Sequence, residues 1–130
     1  MYDNPRKALD QWISLVNQLA VDDLLALYHD DAVLLPTFSD ELLTDKEGIR
    51  GYFEQLAAQQ EVEVSVEESS VVEQSFSDGL FSLSGIYSWR FNKSDETLTF
   101  EARFTFILDL TRAAPILHHH SSQLPHKLHS

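Results

Sequence analysis

Residues 98–110 read LTFEARFTFILDL, and their character alternates with a period of two. Leu98, Phe100, Ala102, Phe104, Phe106 and Leu108 fall on one face of a strand, while Thr99, Glu101, Arg103, Thr105 and Asp109 fall on the other. The first face is apolar. The second reads two ways, as a solvated edge or as a surface carrying chemistry, and alternation alone does not choose between them.

On either side lie further strands. Leu80–Phe91 precedes it across Asn92–Glu96, and Pro115–Ser122 follows it across Thr111–Ala114. Further upstream, Val62, Val64 and Val66 alternate with Glu61, Glu63, Ser65 and Glu67. Such short connections predict an antiparallel meander. Ahead of these strands the period changes. Asn4 is placed to cap a helix opened by Pro5, along which Leu9, Trp12, Ile13, Val16 and Leu19 form a stripe. Asp22 and Asp23 lead into a shorter helix through Leu24, Leu25, Leu27 and Tyr28, then a short Ala32–Leu35 strand stopped by Pro36. After a loop from Thr37 to Leu43, Thr44 and Glu47 stand at capping-box spacing before a third helix with Ile49, Tyr52, Phe53, Leu56 and Ala57 on its apolar face. Helices gathered first and strands gathered last predict an α+β domain.

The whole-chain numbers narrow the function. The 130 residues, 43% hydrophobic and 23% charged, fit one globular domain over 1–125, followed by an aperiodic tail at 126–130 that is expected to be flexible. Nine Lys and Arg against 21 Asp and Glu give a net charge of −12, which repels nucleic acid and anionic membrane surfaces. The absence of cysteine excludes disulfides, thiolate nucleophiles and cysteine-bound zinc. The opening MYDNPRKALDQWISLV has neither a signal-peptide pattern nor a spanning run, so a soluble cytoplasmic protein is expected.

In the last strand, alternation puts Ile116, His118, His120 and Ser122 on one face and Leu117, His119 and Ser121 on the other. Two same-face histidines need a third ligand to hold a metal, from Glu101 or an aspartate, so no metal and no cofactor are expected.

Taken in order along the chain, Tyr52-Phe53-Glu54-Gln55-Leu56, Glu101-Ala102-Arg103 and His118-His119-His120 resemble the association (hub) domain of calcium/calmodulin-dependent protein kinase II and its small stand-alone bacterial relatives, within the nuclear transport factor 2-like superfamily. Tyr52-Phe53-Glu54-Gln55-Leu56 is similar to the hub's tyrosine-phenylalanine-glutamate-asparagine-leucine segment. His118-His119-His120 with Ser122 and Pro125 looks like its histidine-x-histidine strand, and Glu101-Ala102-Arg103 resembles the glutamate-threonine-arginine segment that brings an arginine into its pocket. The likeness runs from the first helix to Pro125. The chain departs from the pattern at Thr111-Arg112-Ala113-Ala114, where the hub turns on aspartate-glycine, in the distance from Arg103 to the histidines, and at Ser121, where the hub has a basic residue. It has no kinase motif.

The resemblance implies a cone with N-terminal helices packed on a strongly curved antiparallel sheet. It also implies a pocket with Arg103, His118 and His120 on its polar floor and aromatic lining from Phe38, Tyr52 or Trp89. A buried guanidinium needs a partner, either the carboxylate of a bound small organic acid or an internal one such as Glu101. With Arg103 inward, Phe100, Phe104 and Phe106 would face out and require a cover, for which a second copy in a homodimer or larger assembly is expected. The competing function comes from the same superfamily, which resembles ketosteroid isomerases and SnoaL-like cyclases: His118 or His120 would serve as a general base, since imidazole titrates near neutrality.

Overall fold

A computed structural model describes residues 2–59, 61–125 and 128. The tail expected at 126–130 lies, apart from Leu128, outside the described residues. Helix α1 (Pro5–Asn17) starts at its sequence signals: the Asn4 side chain accepts from the Lys7 amide at 3.0 Å and Pro5 takes a position whose amide would have no helical partner. Its stripe of Leu9, Trp12, Leu15 and Val16 is buried. At its far end Asn17 bonds both the amide and the carbonyl of Val64, tying the helix to the sheet. Helix α2 (Val21–Leu27) buries Leu24, Leu25 and Leu27. Helix α3 (Lys46–Ala57) buries Ile49, Phe53 and Leu56. It is capped by Asp45, whose carboxylate accepts from the Gly48 amide at 2.8 Å, one residue later than the Thr44–Glu47 spacing predicts.

Six strands follow the order β1 (Tyr28–Leu35), β6 (Ile116–Gln123), β5 (Glu96–Asp109), β4 (Leu80–Lys93) and β2 (Val62–Val66), with β3 (Val72–Ser77) also paired to β4. The result is a large curved, unclosed sheet. The sheet is mixed, which corrects the antiparallel expectation at one edge: β1 runs parallel to β6, with Val33 beside His118 and Leu35 beside His120. A parallel pair needs a long crossover, and α3 with the four intervening strands supplies it. On the far side, β2 and β3 lie end to end along β4, joined through a 3-10 turn at Glu68–Ser70. Strand β3 was not foreseen: every residue of it is exposed, so VEQSFS has no buried face to create an alternation. Two glycines shape β4. Gly79 turns the β3–β4 hairpin at φ 80°, and a Cβ on Gly85 would come within 2.9 Å of the Phe104 ring.

The faces of β5 decide where the core lies. Ala102, Phe104, Phe106 and Leu108 are buried beneath the helices, whereas Glu101 and Arg103 are exposed. Phe104 and Phe106 therefore need no second copy to cover them, contrary to the expectation that this face points outward; α1 covers them, with Trp12 5.5 Å from Phe106. The physical reason is area. Burying two phenylalanines and a leucine stabilises by several kcal/mol, while an arginine in the same place would need a paired counter-charge. Among the described residues, no helix is long and apolar enough to cross a membrane.

Candidate functional site

The concave face ends differently at its two extremities. Toward β6, side chains fill the space between the sheet and α1. Trp12 Nε1 donates to the Tyr28 hydroxyl at 3.0 Å, Tyr28 lies 2.8 Å from His119 Nδ1, and Tyr87 lies 3.1 Å from His119 Nε2. Since Tyr28 takes the indole proton on its oxygen, its own proton goes to Nδ1, which leaves Nε2 protonated and donating to Tyr87. His119 also stacks on Phe106, with centroids 3.9 Å apart. Burial, aided by the neighbouring His118 and His120, lowers its pKa to about 3. It is a neutral structural histidine.

Next to this network lies a narrow recess of about 10 Å³, lined by Thr37, Tyr52, Phe53, Tyr87, Trp89, His119 and Ser121 among others. Thr37 and Ser121 hydrogen-bond each other through their hydroxyls. Farther toward the β4–β5 hairpin, the space opens into a cavity of about 260 Å³ between α3 and the sheet, lined by Phe38, Tyr52, Gln55, Leu56, Gln59, Phe91, Lys93, Leu98 and Phe100. Tyr52 borders both spaces. Its position on α3, one residue from the fully buried Phe53, turns the ring toward the sheet while leaving one edge at the cavity. Burial pushes its phenol up to about 12, so it is protonated at neutral pH.

The residues singled out from the sequence separate into two groups. Phe38, Tyr52 and Trp89 come together: Phe38 packs edge-on against Trp89 at 5.4 Å and against Phe100 at 5.4 Å. Arg103 lies on the opposite, convex face, exposed, in register with Ile86 and Ser122. His118 and His120 lie on that face too, beside Ile107 and Thr105. Burial, then His120, lowers the His118 pKa. His120 borders a separate surface depression of about 210 Å³ that also holds Asp40 and Glu41, an acidic setting unsuited to an organic acid. Alternation goes astray at a β-bulge: Leu108 pairs with Ile116 and Ile107 with His118, so Leu117 is an extra residue. Ile116 therefore shares its face with His119 and Ser121, not with His118 and His120.

Sequence reasoning missed Gln55, Gln59 and Lys93, the polar members of the cavity, and His119, the one histidine among the described residues that faces the core. A helical projection from Tyr52 would have found Gln55 and Gln59 at three and seven residues onward; nothing local marks Lys93. Among the described residues, no group of three or more His, Asp or Glu side chains has a metal-holding arrangement.

The solved structures place this architecture. At 26% identity and a TM-score of 0.81, the chain is similar to a Xanthomonas campestris protein assigned as a calcium/calmodulin-dependent protein kinase II association domain, with 92% of this chain and 84% of that one covered. An NTF2-like protein with a cystatin-like fold from Novosphingobium aromaticivorans matches at 8% identity and a TM-score of 0.77, covering 95% and 81% of the two chains. The β subunit of benzoate 1,2-dioxygenase from Burkholderia mallei matches at 14% and 0.77, covering 92% and 87%. The last two likenesses show the fold alone. No curated protein matches. The family model of the SnoaL-like domain matches residues 6–126, nearly the whole α+β cone, and the chain belongs to that family.

Proposed function

We propose that this protein binds a small organic molecule with an apolar body and a polar or acidic end in the cavity between α3 and the open end of the sheet. The observation that carries the reading is the lining itself: Phe38, Leu56, Phe91, Leu98 and Phe100 form an apolar chamber, with Gln55, Gln59 and Lys93 supplying polar groups. A few placed polar groups in an apolar concavity are the usual composition of a ligand site, and about 260 Å³ suits a compound of about ten heavy atoms. Lys93 takes the role of carboxylate partner that the resemblance implies for Arg103. Among the described residues the lining includes no carboxylate and no imidazole, which favours binding over general-base catalysis by His118 or His120.

Thermal shift against small aromatic and alicyclic acids tests this, on the natural chain and on Leu98→Trp, which fills the chamber. Acids that raise Tm in the first and not in the second support the site. Equal shifts in both, or no shift with any compound, overturn it.

Self-association belongs to the same proposal, through the convex face. The supporting observation is that Val33 and Ile107, which flank His118, and Leu35, beside His120, are half-buried there. Sedimentation velocity of the natural chain and of Ile107→Glu tests it: a dimer that Ile107→Glu dissociates is expected, and a monomer at all concentrations would remove this part.

A further inference from the structure

Among the described residues, two buried side-chain polar atoms have no hydrogen-bond partner, the Tyr52 hydroxyl and Trp89 Nε1. Both belong to side chains lining the same narrow recess. Trp89 is 1% exposed, and the Tyr87 hydroxyl flanks its indole N–H without reaching hydrogen-bond geometry. Thr37 and the backbone at Phe38 flank the Tyr52 hydroxyl without reaching hydrogen-bond geometry. Buried donors are nearly always paired, and leaving one unpaired costs free energy. Elsewhere in this core the pairing is complete for Trp12, Tyr28 and His119. Two orphaned donors on side chains that line one recess, which shares Tyr52 with the neighbouring apolar cavity, mark a place prepared for an acceptor.

We infer that the ligand carries a neutral carbonyl oxygen, which enters this recess and accepts from Tyr52 and Trp89 while an apolar ring fills the outer cavity. This rests on the cavity being the binding site, and it specifies what that site selects. Indole N–H can only donate, and a protonated phenol donates readily, so the partner must accept. The recess of about 10 Å³ accommodates a single oxygen-sized atom, whereas the outer 260 Å³ accommodates a ring. Among the described residues no Lys or Arg lines the recess, so a carboxylate pushed inward would lose its hydration with no counter-charge, which disfavours it against a ketone, aldehyde or ester. Lys93 stands at the outer chamber instead. The ligand class is therefore a cyclic or aryl carbonyl compound, whose acidic group, where it has one, lies at the end remote from the carbonyl.

Acetophenone, ethylbenzene and benzoate separate the contributions of oxygen, ring and charge. Each is titrated into ¹⁵N- and methyl-labelled protein, following the indole N–H of Trp89, identified through Trp89→Phe, and the methyl groups of Leu56 and Leu98. Acetophenone is expected to move the Trp89 indole proton downfield and to bind about tenfold tighter than ethylbenzene. That ratio is expected to collapse toward one in Tyr52→Phe and Trp89→Phe. Tyr52→Phe should melt no lower than the natural chain, since it deletes a hydroxyl that bonds nothing; a drop of several degrees would mean the hydroxyl was already paired and would overturn the inference. Equal affinities for acetophenone and ethylbenzene, with leucine methyls shifted and the Trp89 indole unmoved, would sink the carbonyl and leave the cavity. Benzoate binding tighter than acetophenone would do the same. No methyl shift with any of the three would overturn both readings.

Discussion

Strand β5 places phenylalanines on one face at Phe100, Phe104 and Phe106, yet its two ends have different fates. Phe106 is 1% exposed and sandwiched by Trp12, Phe104 and His119, while Phe100 is half-buried and borders the open cavity with Phe38 and Phe91. What differs is the cover. Helix α1 lays Trp12 over the β6 end and a polar network locks the fill in place, whereas toward the β4–β5 hairpin the described wall opposite Phe100 is Phe38 and the last turns of α3. A period of two specifies which face is apolar; it does not say which part of that face another element covers.

The largest expected effect compares the two ends directly. Phe106→Ala removes a ring packed on every side and is expected to cost about 3–5 kcal/mol, whereas Phe100→Ala, at a site already half-open, is expected to cost about 1–2 kcal/mol. Urea denaturation of both variants measures the gap. Equal costs would mean that the open end is as tightly packed as the closed one, and the cavity would lose its structural basis.

A smaller effect sharpens the closed end through pH. His119 is neutral in the folded protein, with its pKa lowered to about 3, and returns to about 6.5 on unfolding. Between those values the unfolded state binds a proton that the folded state does not, so acidification favours unfolding; above about 6.5 the effect vanishes. His119→Gln keeps a donor and an acceptor without titrating. The stability advantage of the natural chain over His119→Gln is therefore expected to shrink by about 2 kcal/mol between pH 7 and pH 5. Comparing the two chains at each pH cancels the contribution of the 21 acidic residues. A constant difference would place His119 in a solvated site and dissolve the network.

Much of the fold was legible because its signals are local. The Asn4-Pro5 cap, the α1 stripe and the alternation of β2 and β5 are each set by residues a few positions apart. Three features were not local. The pairing of β1 with β6 joins segments almost ninety residues apart, and the short apolar run Ala32–Leu35 carries no sign of its partner's direction. The bulge at Leu117 depends on how β6 meets β5, yet it decides which histidine enters the core. Alternation leaves the facing of β5 open, and the likeness to a hub pocket turns Arg103 inward, whereas Arg103 is exposed on the convex face. The family likeness gave the right architecture but the wrong side for one side chain, because three matched residues fix a strand and not the direction of its faces. Phe38, Tyr52 and Trp89, the expected aromatic lining, lie together; the polar members of the cavity come from α3, the turn that follows it and the end of β4, which the sequence does not connect.

The smallest expected effect tests that facing. Arg103 is exposed on the convex side, across the sheet from the cavity, with no hydrogen bond or ion pair found for its side chain among the described residues. Arg103→Ala should therefore change stability by no more than about 0.5 kcal/mol and leave affinity for any cavity ligand unchanged, since exposed substitutions away from packed or paired groups seldom do more. Lys93→Ala, at the cavity, should weaken an acidic ligand several-fold and leave a neutral one alone. The two alanine variants form a pair in which one cation matters and the other does not. Loss of ligand with Arg103→Ala and not with Lys93→Ala would mean that the polar face of β5 turns inward, and the phenylalanine face would again need a second copy to cover it.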